Sequence, residues 1–316
     1  MMKILRISAS DAKYGGNVYE RQIDHALNEF IVNVFFALAY IPKKLRYLFF
    51  PMFYFLNFWK SNFNDADVVI IPLEAISLLS RNKKNIIIIH HIDHSFSSFL
   101  SSINQKLTYF LLFLNRKRID KIVVVSQFWR DYLLGKGFNN IQIIYNEVDS
   151  KLKYKAECSN SNFKVDGKLN IYIGNFHKKK GVTELLQLLK GEEYVLHTSG
   201  YAGPSIDGLI NHSRLNYTDY LKLLSDVDVC ITYSRFREGW CRTAHEALAL
   251  GTCVIGSGYG GMGELLNGAG QWIASDYLSL KECLNQYPMK NINTEYVNSF
   301  GFDRFKKSWI QLVRSL

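Results

Sequence analysis

Glu238 and Glu246 stand with seven residues between them, on either side of the step from a polar turn (Ser234 to Arg242) into an alanine- and leucine-rich stretch, Thr243 to Leu250. Two carboxylates spaced like this suit one of two chemistries. They can be a hydrolase acid/base pair with carboxyls about 5–9 Å apart, or they can accept hydrogen bonds from sugar and ribose hydroxyls. Glu238 lies in the turn and Glu246 about two turns into the helix that follows, so they need not face one reacting atom, and hydrolysis ranks low. Three cations, Lys178, Lys179 and Lys180, close another turn that opens at Gly174, and a third turn runs from Gly256 to Gly263. Lysines, helix N-termini and glycines that let backbone amides point inward would together neutralise a diphosphate. Phosphate donors at one end of a pocket and carboxylates at the other describe a nucleotide-sugar. Taken singly, the lysine run is a solvated face, and Glu246 is an i,i+4 partner of Arg242 worth about 0.2–0.5 kcal/mol. Their convergence shifts the odds.

Other candidates carry less. His90-His91-Ile92-Asp93-His94 closes an isoleucine-rich strand with spacing that suits a metal, but no cysteine or carboxylate cluster completes a shell, and no metal is expected. Gly15-Gly16 opens the first helix, where close backbone approach to an anionic ligand and a plain tight turn are equally good readings. The cysteines at 158, 230, 241, 253 and 283 form no CxxC pair and several sit in apolar strands, which reads as reduced thiols in a reducing compartment.

The elements that must position these residues alternate. Strands are expected over 3–10, 32–40, 67–72, 85–91, 121–126 and 141–145, with helices over 18–30, 97–118 and 127–136 between them. Continuous β-branched runs such as Ile86 to Ile89 suit parallel strands covered on both faces. Residues 151–167 have linker composition. A second alternation follows, with strands over 169–173, 194–198 and 227–233, helices over 182–189 and 217–224, and a final amphipathic helix over 295–316. Two doubly wound α/β domains facing a central cleft are the expected fold.

A chain of 316 residues suits two domains, and 48% hydrophobic content with 5 prolines excludes disorder. The net charge of +10 divides as 18 Lys and Arg against 12 Asp and Glu over residues 1–150, and 20 against 16 over the rest. That excess on both halves suits an anionic small substrate or an anionic membrane surface. Nucleic acid is not expected, because zinc spacing, an arginine-rich arm and an aromatic RNA-binding signature are all lacking. Residues 43–62 predict a helix with apolar and aromatic residues nearly all round, a kink at Pro51, and Lys43, Lys44, Arg46 and Lys60 at its ends. A peripheral contact of residues 43–60 with an anionic membrane explains it; a core helix with a dimer contact is the alternative. No uncharged apolar run reaches the roughly 18 residues of a spanning helix, and residues 1–6 read as leading into a strand, so no signal peptide is expected. The expected location is cytoplasmic, peripheral at the inner face of the membrane.

The second half resembles the retaining GT-B glycosyltransferases of family 4, the group 1 type, whose signature is EGFGxxxxEAxAxGxPVI. Here it reads Glu238-Gly239-Trp240-Cys241-Arg242-Thr243-Ala244-His245-Glu246-Ala247-Leu248-Ala249-Leu250-Gly251-Thr252-Cys253-Val254-Ile255. The downstream GGxxE is Gly260-Gly261-Met262-Gly263-Glu264, and the strand-turn GRxxxxKG is Gly174-Asn175-Phe176-His177-Lys178-Lys179-Lys180-Gly181. Gly15-Gly16 with Glu20-Arg21 resembles the acceptor-side loop, and Val125-Ser126 and Tyr145-Asn146-Glu147-Val148-Asp149 resemble the VS and NGVD landmarks.

The resemblance implies that Glu238 holds hydroxyls of the transferred sugar, and that the amides of Gly239, Trp240, Cys241 and Arg242 line the sugar and its phosphate. It implies that Glu246 binds the ribose and Lys180 the diphosphate. His90 or His91 would face the anomeric carbon, and Glu238, His90, His91 and Lys180 would form the catalytic set. Gly15, Gly16, Gly174, Asn175, Lys178, Lys179, Gly260, Gly261 and Glu264 would complete the donor contacts. No cofactor or metal is implied. The donor is a nucleotide-diphosphate sugar and the acceptor a lipid-linked compound or glycan. The implied domains are an acceptor-side one over 1–150, a linker over 151–167, a nucleotide-sugar-binding one over 168–293, and a C-terminal helix over 294–316 packing back on the first. Asn175 departs from the pattern, since the family has an arginine there; Lys178, Lys179 or Arg237 would replace it. The expected activity is a retaining, hexosyltransferase-type reaction (EC 2.4). Alternatives are a silent nucleotide-sugar-binding subunit and a nucleotide-sugar epimerase of the same fold.

Overall fold

The computed structural model describes residues 2–8, 15–36, 65–92, 99–191, 193–213, 215–288 and 291–316, with nothing stated of the side chains of residues 15–17, 99–101, 104 and 178. The helix expected over 43–62, the loop before Gly15, and Asp93 and His94 therefore lie outside the described residues. The chain divides into two compact units, one of residues 1–146 with 303–316 and one of residues 147–302.

The first unit is a parallel sheet. Strand β1 (Lys3–Ser8) precedes α1 (Gly15–Ala26), followed by β2 (Ile31–Phe36), β3 (Val68–Pro72), β4 (Lys84–Ile89), α2 (Phe99–Leu114), β5 (Lys121–Val124), α3 (Gln127–Leu134) and β6 (Ile141–Ile143). The strand order is β2-β1-β3-β4-β5-β6. β3 is buried along its whole length and β4 along all but its first residue, as β-branched runs covered on both faces must be. The long helix expected over 97–118 ends at Leu114 and passes into a 3₁₀ turn, Arg116–Arg118.

The second unit runs α4 (Leu152–Glu157), β7 (Leu169–Asn175), α5 (Val182–Leu189), β8 (Tyr194–Ser199), β9 (Leu209–His212), α6 (Tyr217–Asp226), β10 (Val229–Thr232), α7 (Arg242–Leu250), β11 (Cys253–Gly256), α8 (Gly261–Gly268), β12 (Trp272–Ile273), α9 (Tyr277–Asn285) and α10 (Thr294–Asn298). Its parallel sheet has the order β12-β11-β10-β7-β8-β9. The stretch 151–167, expected as linker, contains α4, whose Leu152 and Ala156 are buried with Leu221 of α6. Two apolar residues four apart give even a polar segment a face to pack, and that face outweighed the lysines around it.

The single helix expected over 295–316 is two. It breaks at Ser299 to Gly301, and α11 (Phe302–Arg314) then belongs almost wholly to the first unit. There Phe305, Trp309, Leu312 and Val313 are buried at helical spacing. Tyr19 of α1 meets Phe305 and Trp309 with ring centroids 5.2 and 6.4 Å apart.

Candidate active site

In the second sheet β7 and β10 are neighbours, and the chain leaves them toward opposite edges. Such a switch in strand order opens a crevice at the carboxyl ends of the two strands. The turns after β7, β10 and β11 meet there. The first holds a 3₁₀ turn, Lys178–Lys180, opened by His177, whose Nδ1 accepts from the Lys179 amide at 3.2 Å. Gly181 follows with φ 66°, and a Cβ on it would lie 2.8 Å from the Tyr233 carbonyl oxygen, so a side chain would push the first turn off the end of β10. The Arg235 amide donates to the Lys179 carbonyl at 3.1 Å. Glu238 bridges to the third turn: its amide donates to the Tyr259 carbonyl at 3.2 Å, and its carbonyl accepts from the Gly261 amide at 2.9 Å. Gly260, at φ 74°, has no room for a Cβ, which would sit 2.3 Å from the Glu238 carbonyl oxygen.

At this junction Lys180 Nζ pairs with Glu238 Oε1, and Ser234 Oγ donates to the same oxygen at 2.5 Å. The Lys180 ammonium also reaches Ser234 Oγ at 3.3 Å. Burial is the largest single influence on the Lys180 pKa and lowers it, but the Glu238 charge, Cys241 and the hydrogen bond to Glu238 together outweigh it and the net shift is upward. Lys180 is therefore an ammonium throughout the neutral range. Cys241, buried beside them, is no nucleophile: burial first and the Glu238 charge second push its thiol up to about 12. Gly239, Trp240 and Cys241 lead into α7, whose first-turn amides carry partial positive charge.

Glu246 is buried one and a half turns further on. It accepts from Arg242 Nη2 at 2.9 Å and from the Tyr217 hydroxyl at 2.9 Å. The i,i+4 pair is thus present, and its carboxylate is held in a set position with Tyr217 of α6. Between the two glutamates, His245 anchors the turn. The Trp240 indole N–H donates to His245 Nδ1 at 3.1 Å, which leaves His245 Nε2–H to donate to the Val297 carbonyl at 3.1 Å. Phe300 packs on both rings, with centroids 5.1 Å from Trp240 and 5.4 Å from His245. Burial lowers the His245 pKa to about 4, so it is neutral.

Of the predicted residues, the second unit brings Lys180, Glu238, Gly260 and Gly261 into contact, with Gly239, Trp240, Cys241, Arg242 and Glu246 continuing from the turn into α7. Gly174 ends the buried part of β7, and Asn175 is exposed, its amide against Gly200. Glu264 lies in the first turn of α8, half-buried. Ser234 and Tyr217 complete the site and were not singled out in the sequence. Ser234 is the first polar residue after an apolar strand, which is a usable signal; Tyr217, twenty-nine residues from its partner, offers none.

In the first unit, Gly15 and Gly16 open α1. His90 follows β4, half-buried, in an edge-on contact with Tyr19 at 5.1 Å and with its Nε2 lacking a hydrogen-bond partner among the described residues. Burial, then His91, lowers its pKa to about 4. His91 beside it is exposed. In the same unit Arg6 donates to Glu20 at 2.9 Å and to Asp24 at 2.5 Å, and Ser8 donates to Glu20 at 2.6 Å. Among the described residues no group of three or more His, Cys, Asp or Glu side chains is placed to hold a metal.

Comparison with known proteins gives two family matches that meet near the unit boundary. Residues 13–152 match Glycosyltransferase Family 4, and residues 155–278 match Glycosyl transferases group 1. No curated protein matches the chain. Among solved structures, the chain is similar over 100% of its length to sucrose-phosphate synthase from Thermosynechococcus elongatus, with TM-score 0.79, 16% identity and 99% of that chain covered. It is similar to HepE from Anabaena in complex with UDP-glucose, with TM-score 0.71, 16% identity and both chains fully covered. UDP-GlcNAc 2-epimerase from Methanocaldococcus jannaschii is also similar, with TM-score 0.61, 13% identity and both chains fully covered. At these identities the likeness is one of fold: two Rossmann-like domains of the GT-B type.

Proposed function

Since the chain belongs to glycosyltransferase family 4 of the group 1 type, we propose that it moves a hexose-type sugar, with retention, from a nucleotide-diphosphate sugar to a lipid-linked or glycan acceptor. The carrying observation is the Lys180–Glu238–Ser234 cluster, set at the strand-order switch and tied to the Gly260–Gly261 turn. The complex of HepE with UDP-glucose, a protein of the same fold, supports a donor of this class.

In this reading the donor diphosphate takes over Lys180 as its counter-charge, together with the first amides of α7. Glu238, released from the ion pair, accepts hydrogen bonds from the sugar hydroxyls while Ser234 keeps it in place. Glu246, fixed by Arg242 and Tyr217, accepts from the ribose. The acceptor hydroxyl attacks the anomeric carbon as the bond from that carbon to the diphosphate oxygen breaks, on the same face, and the hydroxyl proton passes to the departing diphosphate. Stabilising the charge that develops on the diphosphate is the main catalytic term. His90, neutral, and His91 complete the proposed catalytic set. No metal takes part. The proposed location is cytoplasmic, with residues 43–60 making a peripheral contact with an anionic membrane that brings a lipid-linked acceptor within reach.

Two observations favour other readings. Asn175, where the family has arginine, favours a silent binding subunit. The likeness to UDP-GlcNAc 2-epimerase favours isomerisation of the sugar on its nucleotide. A panel of nucleotide-sugars, incubated with the chain with and without membrane extract, separates them. Acceptor-dependent release of nucleoside diphosphate supports transfer. Isomerised sugar, or a thermal shift with no turnover, would replace it with the epimerase or the binder.

A further inference from the structure

Helix α2 is apolar on two opposite sides. Its inner side buries Thr108 and Leu112 and packs Tyr109 against Phe138, with ring centroids 6.2 Å apart. At 100° per residue, Ile103, Leu107, Phe110 and Leu114 fall within one stripe centred opposite that buried side. All four are exposed, at 49, 39, 55 and 59%. A stripe of four large apolar side chains over three helical turns is more than the scattered single hydrophobics that a soluble surface normally shows. Its chemical setting is one-sided. From residue 102 to residue 119 there is no aspartate or glutamate, while Lys106, Arg116, Lys117 and Arg118 are all present and exposed. Arg116 sits over Phe113, its Cζ 4.2 Å from the ring centroid, so cation and aromatic form one surface. Lys117 and Arg118 continue into a pocket that Arg81, Lys83 and Lys84 also line, against Asp67 and Asp120. Asp120 is already committed to Lys84 at 3.2 Å and to the Asn85 amide at 2.8 Å.

We propose that the outer stripe of α2 and the cations that follow it form a contact surface for an anionic lipid bilayer. Apolar side chains enter the headgroup boundary while the lysines and arginines meet lipid phosphates and carboxylates. Each half of the pattern accounts for what the other leaves over. A contact between protein copies would explain the apolar stripe and leave the acid-free, cation-rich flank unmatched, because two copies would bring like charges together. This surface is distinct from residues 43–60. It deepens the lipid-linked acceptor reading, but lipid binding is measured without sugar transfer, so the two can fail separately.

The test uses the full chain and vesicles of phosphatidylcholine alone or with 30 mol% phosphatidylglycerol, a composition chosen to give about the anionic surface on which polybasic segments act. The wild type should sediment with the anionic vesicles only. Leu107→Ser/Phe110→Ser/Leu114→Ser should weaken that binding about tenfold or more, and Arg116→Glu/Lys117→Glu should abolish the preference for anionic lipid. Both variants alter exposed residues, and circular dichroism checks their folding. Because another segment could bind vesicles by itself, an environment-sensitive fluorophore on Phe110→Cys, in a Cys158→Ser background, reads the stripe directly. A blue shift on adding anionic vesicles is expected. No shift while the chain sediments would overturn the proposal. So would a serine variant that binds vesicles like the wild type, or whose only change by light scattering is a dimer becoming a monomer.

Discussion

Glu238 is held twice, by Ser234 at 2.5 Å and by the Lys180 ammonium, and this decides what each substitution can report. Removing one member of such a pair leaves the other unpaired, so activity is best read alongside stability. Lys180→Met should weaken nucleoside diphosphate binding, measured by calorimetry, by about tenfold or more, the share of a charge-assisted hydrogen bond, while Lys180→Arg retains most of it. In the first unit, Glu20 makes a different prediction. Burial raises its carboxyl to about 7, with Ser8 and then Arg6 pulling the other way and Glu74 and Asp24 adding to the rise. A carboxyl that holds its proton more tightly when folded stabilises the fold fully below its ordinary pKa of about 4.3. That stability is lost as pH rises through the folded value, because the unfolded chain then binds fewer protons. Between about pH 4.5 and 7 the wild type should lose about 2–3 kcal/mol relative to Glu20→Gln, read as the gap between their melting curves. At this scale the sequence carried the charged residues well. Glu238 and Lys180 were legible because charge in a turn between strand and helix has few purposes, and Glu246 because of its spacing from Glu238. Tyr217 was not, because a tyrosine at a helix start looks the same whether or not it reaches a carboxylate.

Between strand and helix, the turn from Ser234 to Arg242 keeps its shape through partners outside itself. Trp240 is fastened to His245, and His245 to the Val297 carbonyl on α10. Losing the imidazole orphans a buried indole N–H and opens a cavity, so His245→Ala should lower stability at pH 7.5 by about 2–4 kcal/mol. His245 is also lowered to about 4 by burial. A base with a depressed folded pKa contributes stability that is present above about 6.5 and lost as pH falls toward the folded value. The gap between wild type and His245→Ala should therefore narrow from pH 6.5 to 4. At the end of β7, Asn175 stands where the family has arginine. Asn175→Arg should tighten nucleoside diphosphate binding severalfold if the phosphate lies where Lys180 points, and an unchanged affinity in calorimetry would place it elsewhere. The elements themselves were legible where an apolar run repeated at the period of a strand or helix, as in β4 and α5. They were missed where tertiary packing decided. In α4, two buried apolar residues among lysines made a helix out of linker composition, and β9, four residues long, is paired to β8 through a register that local pattern does not encode.

Over the whole molecule, the described residues of both units form six-stranded parallel sheets, yet their strand orders differ, β2-β1-β3-β4-β5-β6 in one and β12-β11-β10-β7-β8-β9 in the other. Alternating strands and helices in the sequence imply parallel sheets, but the order in which strands line up depends on where each crossover turns back, and no residue pattern marks that. The order matters for function, because in the second unit it sets Lys180, after β7, beside Glu238, after β10. The break at Ser299 to Gly301 was equally hidden, since one amphipathic stretch reads the same unbroken or split. The central claim is that this junction holds a nucleotide-diphosphate sugar for transfer. Its most direct test is the rate of acceptor-dependent nucleoside diphosphate release by the wild type and by Glu238→Gln, which keeps a partner for Ser234. A fall of about a hundredfold or more in a variant with a native circular dichroism spectrum is predicted. Release at the wild-type rate would contradict the claim.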